Sequence, residues 1–583
     1  MYISPDQYDN QRTGAVTVAV QKLSGELVRL REGSISEEEF RPTRTILGVY
    51  GQRQPEQYMI RVRLPYGAIT APQLLAMAGI TRVHGSGVGH VTTRQDMQLH
   101  WLPLDAMPEI LKTLEDVGLT SLQSGGNSVR NIAACPLAGV CSKEVFDITG
   151  HAAAADDHYV GNSAVQSLPR KFKSSFSGCA VDCGLSAIQD FGAIAVERNE
   201  NGHTSRGFQV YIGGGLGSVP RRAMLLEEFV SQDELLPTYE AVVRTFDRLG
   251  DRTRKDRARL KFVVARLGED ELRRMIRQEL QAVKSEGLLA SPATDNAQSD
   301  MPVAEGAPDL PGESPEYYRW LVWNVTAERS AGMYSIGIAL PLGDITSGQM
   351  ETVAGLLEAY PKSSLRTTAQ QGLYVRGMTG QSLPAIYKAL RDAGLADLRF
   401  DGIADITSCP GTSACSLGIA ASKGLARELQ QMLMDNKYQD DDALGGLRIK
   451  LSGCPDSCSQ HQLADIGFCG AALHKDGRLY PAQVMYLGGR VDERGTALGQ
   501  PVLKLPSRKV PEALQHLLFF YRAERFTDET FELFISRMGI NTIRQILAQF
   551  TSIPPFSEDG SNFVDWDSTR MYILERGEGE CSV

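Results

Sequence analysis

The chain has 583 residues, 42% of them hydrophobic and 22% charged, and a formal net charge of −10. That balance belongs to a globular protein with material for three or more domains. The acidic excess argues against a nucleic-acid or anionic-membrane partner, and no apolar run approaches the roughly 20 residues that span a bilayer. The opening MYISPDQYDNQRTG lacks the basic-then-apolar order of a secretory signal, so a cytoplasmic protein is expected.

Along the chain, IRVRLPYGAIT from Ile60 reads as a strand ending in a turn, and APQLLAMAGI as the helix after it. TTRQDMQLHWL alternates like a strand, and LDAMPEILKTLEDVG reads as a capped amphipathic helix. The pattern returns in the second half with YSIGIALPLGDIT, SGQMETVAGLLEAY and TTAQQGLYVRG. Such α+β half-domains are expected to pair into one sheet. Between the halves, SEGLLASPATDNAQSDMPVAEGAPDLPGESP is rich in Pro, Gly, Ser and Ala and reads as a linker. The segment after about 550 reads as a surface tail.

Ten cysteines stand at 135, 141, 179, 183, 409, 415, 454, 458, 469 and 581. Eight form two sets of one pattern, C-x5-C then C-x3-C, and the offset between the sets is 274 to 275 positions. IRVRLPYGAIT maps onto IGIALPLGDIT at 276, TTRQDMQLHWL onto TTAQQGLYVRG at 275, and VYIGGGLG onto MYLGGR at about the same distance. Collinear matches at one spacing mark a tandem duplication and a pseudo-twofold axis, with a period far too long for a solenoid. Without an export signal, two matched sets of four thiols point to metal rather than to disulfides. Zinc favours short knuckles at both ends, whereas a cuboidal cluster needs thiolates spread around a wider object, as long and unequal spacings allow.

C-x5-C, a gap of about 38 residues and C-x3-C within SGCPDSC resemble the signature of the sirohaem-dependent sulfite and nitrite reductase family. The resemblance runs from about residue 46 to 525 and implies an internally duplicated α+β fold of three domains. It implies an N-terminal extension at 1–45 and paired ferredoxin-like half-domains at 46–125 plus 317–395. A first-repeat sirohaem/cluster-type domain would lie at 126–285, a linker at 286–316, a second-repeat sirohaem and 4Fe-4S domain at 396–525, and a C-terminal tail at 526–583. It also implies that Cys409, Cys415, Cys454 and Cys458 hold a four-iron cluster, with Cys458 bridging to the sirohaem iron. By the same resemblance Arg61, Arg130, Lys171 and Lys173 bind the substrate anion, while Arg94, Gln98, His100, Asn131 and Gly213, Gly214 and Gly215 hold the sirohaem. The glycine run is not a nucleotide loop, because GGGLG breaks the G-x-G-x-x-G spacing.

Most Arg and Lys are merely solvated, so each cation alone says little. The repeat supplies an internal comparison. Arg61 becomes Gly337, Arg94 becomes Ala369, Arg130 becomes Ala404 and Lys171 becomes Gly446, while Lys173 alone keeps a cation, as Arg448. Both cysteine sets persist while the cations persist in one half, as expected if one of two equivalent sites still does chemistry. Assimilatory relatives usually keep only the second set. This chain keeps both, and a second four-iron cluster is expected on Cys135, Cys141, Cys179 and Cys183.

The expected reaction is six-electron reduction of sulfite to sulfide. In the family the sulfite type tends to carry lysine in RK-x-K where the nitrite type carries asparagine, and at that position LPRKFK has lysine, Lys173. Nitrite reduction to ammonia is the close rival. An iron–sulfur electron carrier is the rival of another class, though a carrier has no use for a cluster of cations. No flavin or nicotinamide fingerprint is present, so the electron donor is expected to be a separate ferredoxin or flavoprotein.

Overall fold

The computed structural model describes residues 5–200, 202–287, 314–577 and 580, so the linker expected at 286–316 lies almost wholly outside the described residues. Three hydrophobic cores organise the rest, one under the two half-domains together and one in each repeat domain.

The half-domains do not share one sheet; they exchange strands between two. The first sheet runs Val49–Gly51, Tyr58–Val62, Met97–Leu102, Val88–Val91 and then Asp344–Thr346 from the other half. The second runs Val325–Ala327, Met333–Ile338, Leu373–Thr379, Ser364–Thr367 and then Ala68–Ile69 from the first half. The exchange turns on a tight bend after each swapped strand's predecessor, with Gly67 at φ 75° and Gly343 at φ 77°. A Cβ at Gly67 would stand 2.6 Å from the Thr367 carbonyl oxygen, and one at Gly343 would stand 2.9 Å from that of Val91. Only glycine permits both the left-handed φ and the close approach. Each bend feeds a capping box, Thr70 with Gln73 for helix Ala71–His84 and Thr346 with Gln349 for helix Ser347–Ala359. The two helices pack on each other across the pseudo-axis.

Each repeat domain holds one five-stranded mixed sheet. The first contains Val129–Ala134, Phe172–Ser177, Phe191–Glu200, His203–Ile212 and Met224–Ser231. The second contains Thr407–Ser408, Ile449–Ser452, Ile466–Lys475, Arg478–Leu487 and Gln500–Pro506. Ser174 opposes Phe191 as Ile449 opposes Ile466, so the sheets superpose at the cysteine offset of 275.

Three local expectations change. Helix Met107–Asp116 has no side-chain cap; its first turn is set by Pro108 after a 3-10 turn at Leu104–Ala106. TTRQDMQLHWL is a strand only from Met97; before it, Thr92 N–H bonds the Asp96 carbonyl around Gln95 at φ 60°. The supposed surface tail is pinned to the body. Asp565 accepts from Ala421 N–H at 2.8 Å, Tyr572 donates to the Ile419 carbonyl at 2.7 Å, and Phe563 is buried. Glu580 closes on the buried Arg44 at 2.6 Å. Among the described residues, no helix is long and apolar enough to cross a membrane.

Candidate active site

The turn at 92–96 carries Arg94 into the seam between the first half and the second repeat domain. Thr93 donates its hydroxyl to the Cys458 carbonyl at 2.7 Å, and Gln460 donates to the Thr93 carbonyl at 3.3 Å. Arg94 Nη2 bonds the Asn131 carbonyl at 2.7 Å, while the Asn131 amide bonds the carbonyls of Leu64 and Arg94 at 2.9 and 3.1 Å. Arg94 Nη1, Asn131 Oδ1 and His100 Nε2 are buried with no protein partner. Buried polar atoms of that kind call for a ligand.

The other cations gather around Arg94. Burial, with Arg130, Arg61 and Arg259 nearby and Asp96 opposing them, pushes its guanidinium down to about 10. Arg61 lies opposite Gln98 in the sheet, whose amide oxygen accepts from Arg61 Nε at 3.2 Å and Nη2 at 2.8 Å. Arg61 and Arg130 both bond the Ser124 carbonyl, at 3.0 and 2.7 Å, and Arg130 bonds the Gly126 carbonyl at 2.6 Å. Lys173 is the second residue of the strand Phe172–Ser177, with its N–H on Asp190 at 2.8 Å. Burial, with Arg94, Lys171 and Arg259 around it, holds the Lys173 ammonium well below the lysine range, and Cys458 is the anionic neighbour that opposes this. Lys171 in turn faces Cys458. First-half cations therefore meet second-half sulfurs.

Not every cation serves this face. Arg63 lies in the core, fully buried in an ion pair with Asp156. His100 bonds Gln52 at 3.0 Å through Nδ1, and burial beside His90 pushes it down to about 3, so its imidazole is neutral. Gly214 abuts the backbone of Ile188 and Gln189, and a Cβ on Gly215 would meet Arg259 Nη2 at 3.0 Å. The glycines thus let the chain pass close beneath Arg259. Arg259, bound to Asp190 at 2.7 Å, belongs to the cation cluster although only its basic stretch RTRKDRARLK marked it in sequence.

Cys409, Cys415, Cys454 and Cys458 converge. Cys458 has Cys409 and Cys415 as electrostatic neighbours, and Cys454 has Cys458 and Cys409. Gly453 N–H bonds Cys409 Sγ at 3.2 Å, and Asp456 N–H bonds Cys454. Burial and neighbouring thiols hold Cys454 far above the ordinary thiol range, so an ionised set needs positive metal among the sulfurs. Four convergent thiols with amide N–H bonds fit an iron–sulfur cluster, and the cation face with unpartnered buried atoms beside Cys458 fits a polycarboxylate macrocycle.

The strand register corrects one expected equivalence. Arg61 pairs with Gln98 as Gly337 pairs with Tyr374, and Gln95 and Gln371 hold the same left-handed bend, so the turns superpose at 276. Arg94 therefore answers to Gln370, and Ala369 to Thr93. The loss of the cation stands. At the position of His100 the second half carries Arg376, spent on the carbonyls of Pro136 and Ala138 at 3.2 and 2.7 Å.

Two family models match the chain. The nitrite and sulphite reductase 4Fe-4S domain covers 125–284 and 400–552, and the nitrite/sulfite reductase ferredoxin-like half domain covers 50–117 and 327–393. The chain is 29% identical over 521 residues to the assimilatory ferredoxin-dependent nitrite reductase of Haloferax mediterranei, covering 85% of each. It is 27% identical over 500 residues to sulfite reductase [ferredoxin] 1 of Mycolicibacterium paratuberculosis, covering 84% of each. Among solved structures, the Mycobacterium tuberculosis NirA protein matches with a TM-score of 0.74 at 25% identity, over 88% of this chain and 92% of that one.

Proposed function

The chain belongs to the nitrite and sulphite reductase family, whose cofactors are sirohaem and a four-iron cluster, and within that family we propose that it reduces sulfite. In this reading six electrons and six protons convert bisulfite to hydrosulfide and three waters. Cys409, Cys415, Cys454 and Cys458 would hold the cluster, and Arg94, Gln98, His100, Asn131 and Gly213 to Gly215 would line the sirohaem's bed beside Cys458. When bound, the two groups would supply the electrons.

The chain's own residues do the rest. Arg61 and Arg130 are fixed by backbone carbonyls and act by charge and hydrogen bonding, since guanidinium does not release protons. Lys171 and Lys173 orient the substrate oxygens and deliver protons as S–O bonds break; an ammonium held below its ordinary range donates more readily. Arg259 and Asp190 keep Lys173 in place.

The observation that carries sulfite over nitrite is that two lysines, Lys171 and Lys173, are electrostatic neighbours of Cys458. Sulfite offers three oxygens and up to two negative charges, against two and one for nitrite, and so gains more from a second ammonium. Nitrite reduction to ammonia is the second reading, favoured by relatives named as nitrite reductases. The ferredoxin-dependent names of these relatives support a ferredoxin as donor here. Turnover of both anions by the holoenzyme with one reductant separates the readings: a higher kcat/KM for sulfite is expected, and a higher one for nitrite overturns the proposal. A purified protein without haem-type absorption bands overturns both.

A further inference from the structure

The first-half cysteines form a second built site. Cys135 Sγ hydrogen-bonds with Cys183, and Cys141 neighbours Cys135, Cys179 and Cys183. The N–H groups of Leu137, Lys143 and Val181, each two residues past a cysteine, bond Cys135, Cys141 and Cys179. This is the turn that Asp456 N–H makes on Cys454 in the other set. Amide bonds to sulfur stabilise thiolates and cluster ligands.

The loops are also held alike. Arg53 N–H bonds the Ala414 carbonyl at 2.8 Å, and its Nη2 bonds that of Gly418 at 2.9 Å. Arg329 N–H bonds the Val140 carbonyl at 2.8 Å, and its Nη2 bonds that of Glu144 at 2.8 Å. Each arginine reaches from one half-domain to the cysteine loop of the other half, at equivalent positions. The clamp is intact on both sides.

The face beside the sulfurs differs. Gly337 leaves room for Phe400, whose ring would lie 2.6 Å from a Cβ there and packs on Tyr374 at 4.8 Å between centroids. Tyr374 itself neighbours Cys183, Cys135 and Cys141, where the first half has Gln98 beneath its cations. Arg448 is neutralised by Asp401 at 3.0 Å. The cleft of about 440 Å³ beyond Arg448 mixes arginines with carboxylates such as Asp465, Asp492 and Glu532, so it does not select a polyanion.

We propose that Cys135, Cys141, Cys179 and Cys183 hold a second iron–sulfur cluster with no tetrapyrrole beside it, a site that exchanges single electrons and binds no substrate. A reduced ferredoxin-type protein gives up one electron and the cluster gains it; no bond is made or broken. The cluster rests on the chain's own cysteines, whereas sirohaem and substrate belong to the reading above, so the two fail separately. The test measures iron, acid-labile sulfide, zinc and sirohaem per chain in anaerobically purified holoenzyme, with EPR of the dithionite-reduced protein. About nine irons, eight sulfides, one sirohaem and a reducible cluster signal not coupled to haem are expected. About five irons, two sirohaems, bound zinc, or a disulfide among these cysteines in the anaerobic protein overturns the proposal. Cys141→Ser with Cys179→Ser should remove roughly half the iron and sulfide while the sirohaem bands persist. Should that variant not fold, the metal and haem ratios of the unaltered protein decide.

Discussion

Thr93 of the first half-domain donates a hydrogen bond from its hydroxyl to the backbone carbonyl of Cys458, 365 positions later, at 2.7 Å. The bond joins the turn that carries Arg94 to the loop of the sulfur that faces Lys171. One hydrogen bond of this kind is worth about 1 kcal/mol to stability, but its orienting effect falls on reacting groups. Thr93→Val keeps the shape and removes the donor. We expect a melting temperature lowered by only ~1–3 °C and a kcat lowered about tenfold, measured with sirohaem content unchanged. A kcat equal to that of the unaltered enzyme would show that the contact is only structural.

Lys171 is a cationic electrostatic neighbour of Cys458. Lys171→Ala should lower sulfite turnover by roughly two orders of magnitude, the scale of losing one electrostatic or proton-donating group, with the visible spectrum intact. Lys173→Asn, which copies the nitrite-type residue, should move the sulfite-to-nitrite kcat/KM ratio toward nitrite. A ratio that does not move removes the ammonium-pair argument for specificity.

Arg63 and Asp156 form an ion pair with both side chains out of solvent. Removing one partner strands a buried charge, so Arg63→Met should cost about 3–5 kcal/mol. Arg63→Met with Asp156→Leu should recover most of that loss in urea unfolding of the holoenzyme. A double variant as unstable as the single one would place the cost in packing rather than charge.

Asp405, the counterpart of Asn131, is buried beside Asp401, and burial pushes its carboxyl up to about 8. The folded state therefore keeps a proton that the unfolded chain releases near pH 4. Stability falls as pH rises from there to about 8 and stays low above it. Asp405→Asn, which copies the first half, should flatten this slope and stabilise the protein at pH 8–9 by on the order of 1–3 kcal/mol. The check is the melting temperature of both proteins between pH 6 and 9. Parallel curves would mean that Asp405 is ionised in the folded protein.

Chain-local features were readable before any fold was known. Both cysteine patterns, the duplication and the bend-plus-capping-box segments are written in spacing and residue type, since a ligand turn or a helix start is decided within a few positions. The equivalence of Arg94 shifts by one residue because TTRQ matches TTAQ best at 275, and only the ladder across Arg61 and Gln98 shows that the turns superpose at 276. Arg259 was passed over because nothing near it in the chain reveals Asp190, 69 positions earlier.

Spacing and residue type are enough to show that two four-thiol sites arose from one ancestor and that most of the cations stayed in one half. Tertiary structure alone decided which sulfurs meet those cations, through two short exchanged strands and the contact of Thr93 with the Cys458 loop. It also decided that Phe400 and Tyr374 occupy the equivalent face on the other side. The physical reason is range. Thiol spacing and turn chemistry act over a handful of residues, whereas charge apposition and the filling of space depend on segments hundreds of positions apart, whose proximity is set by how the half-domains pack.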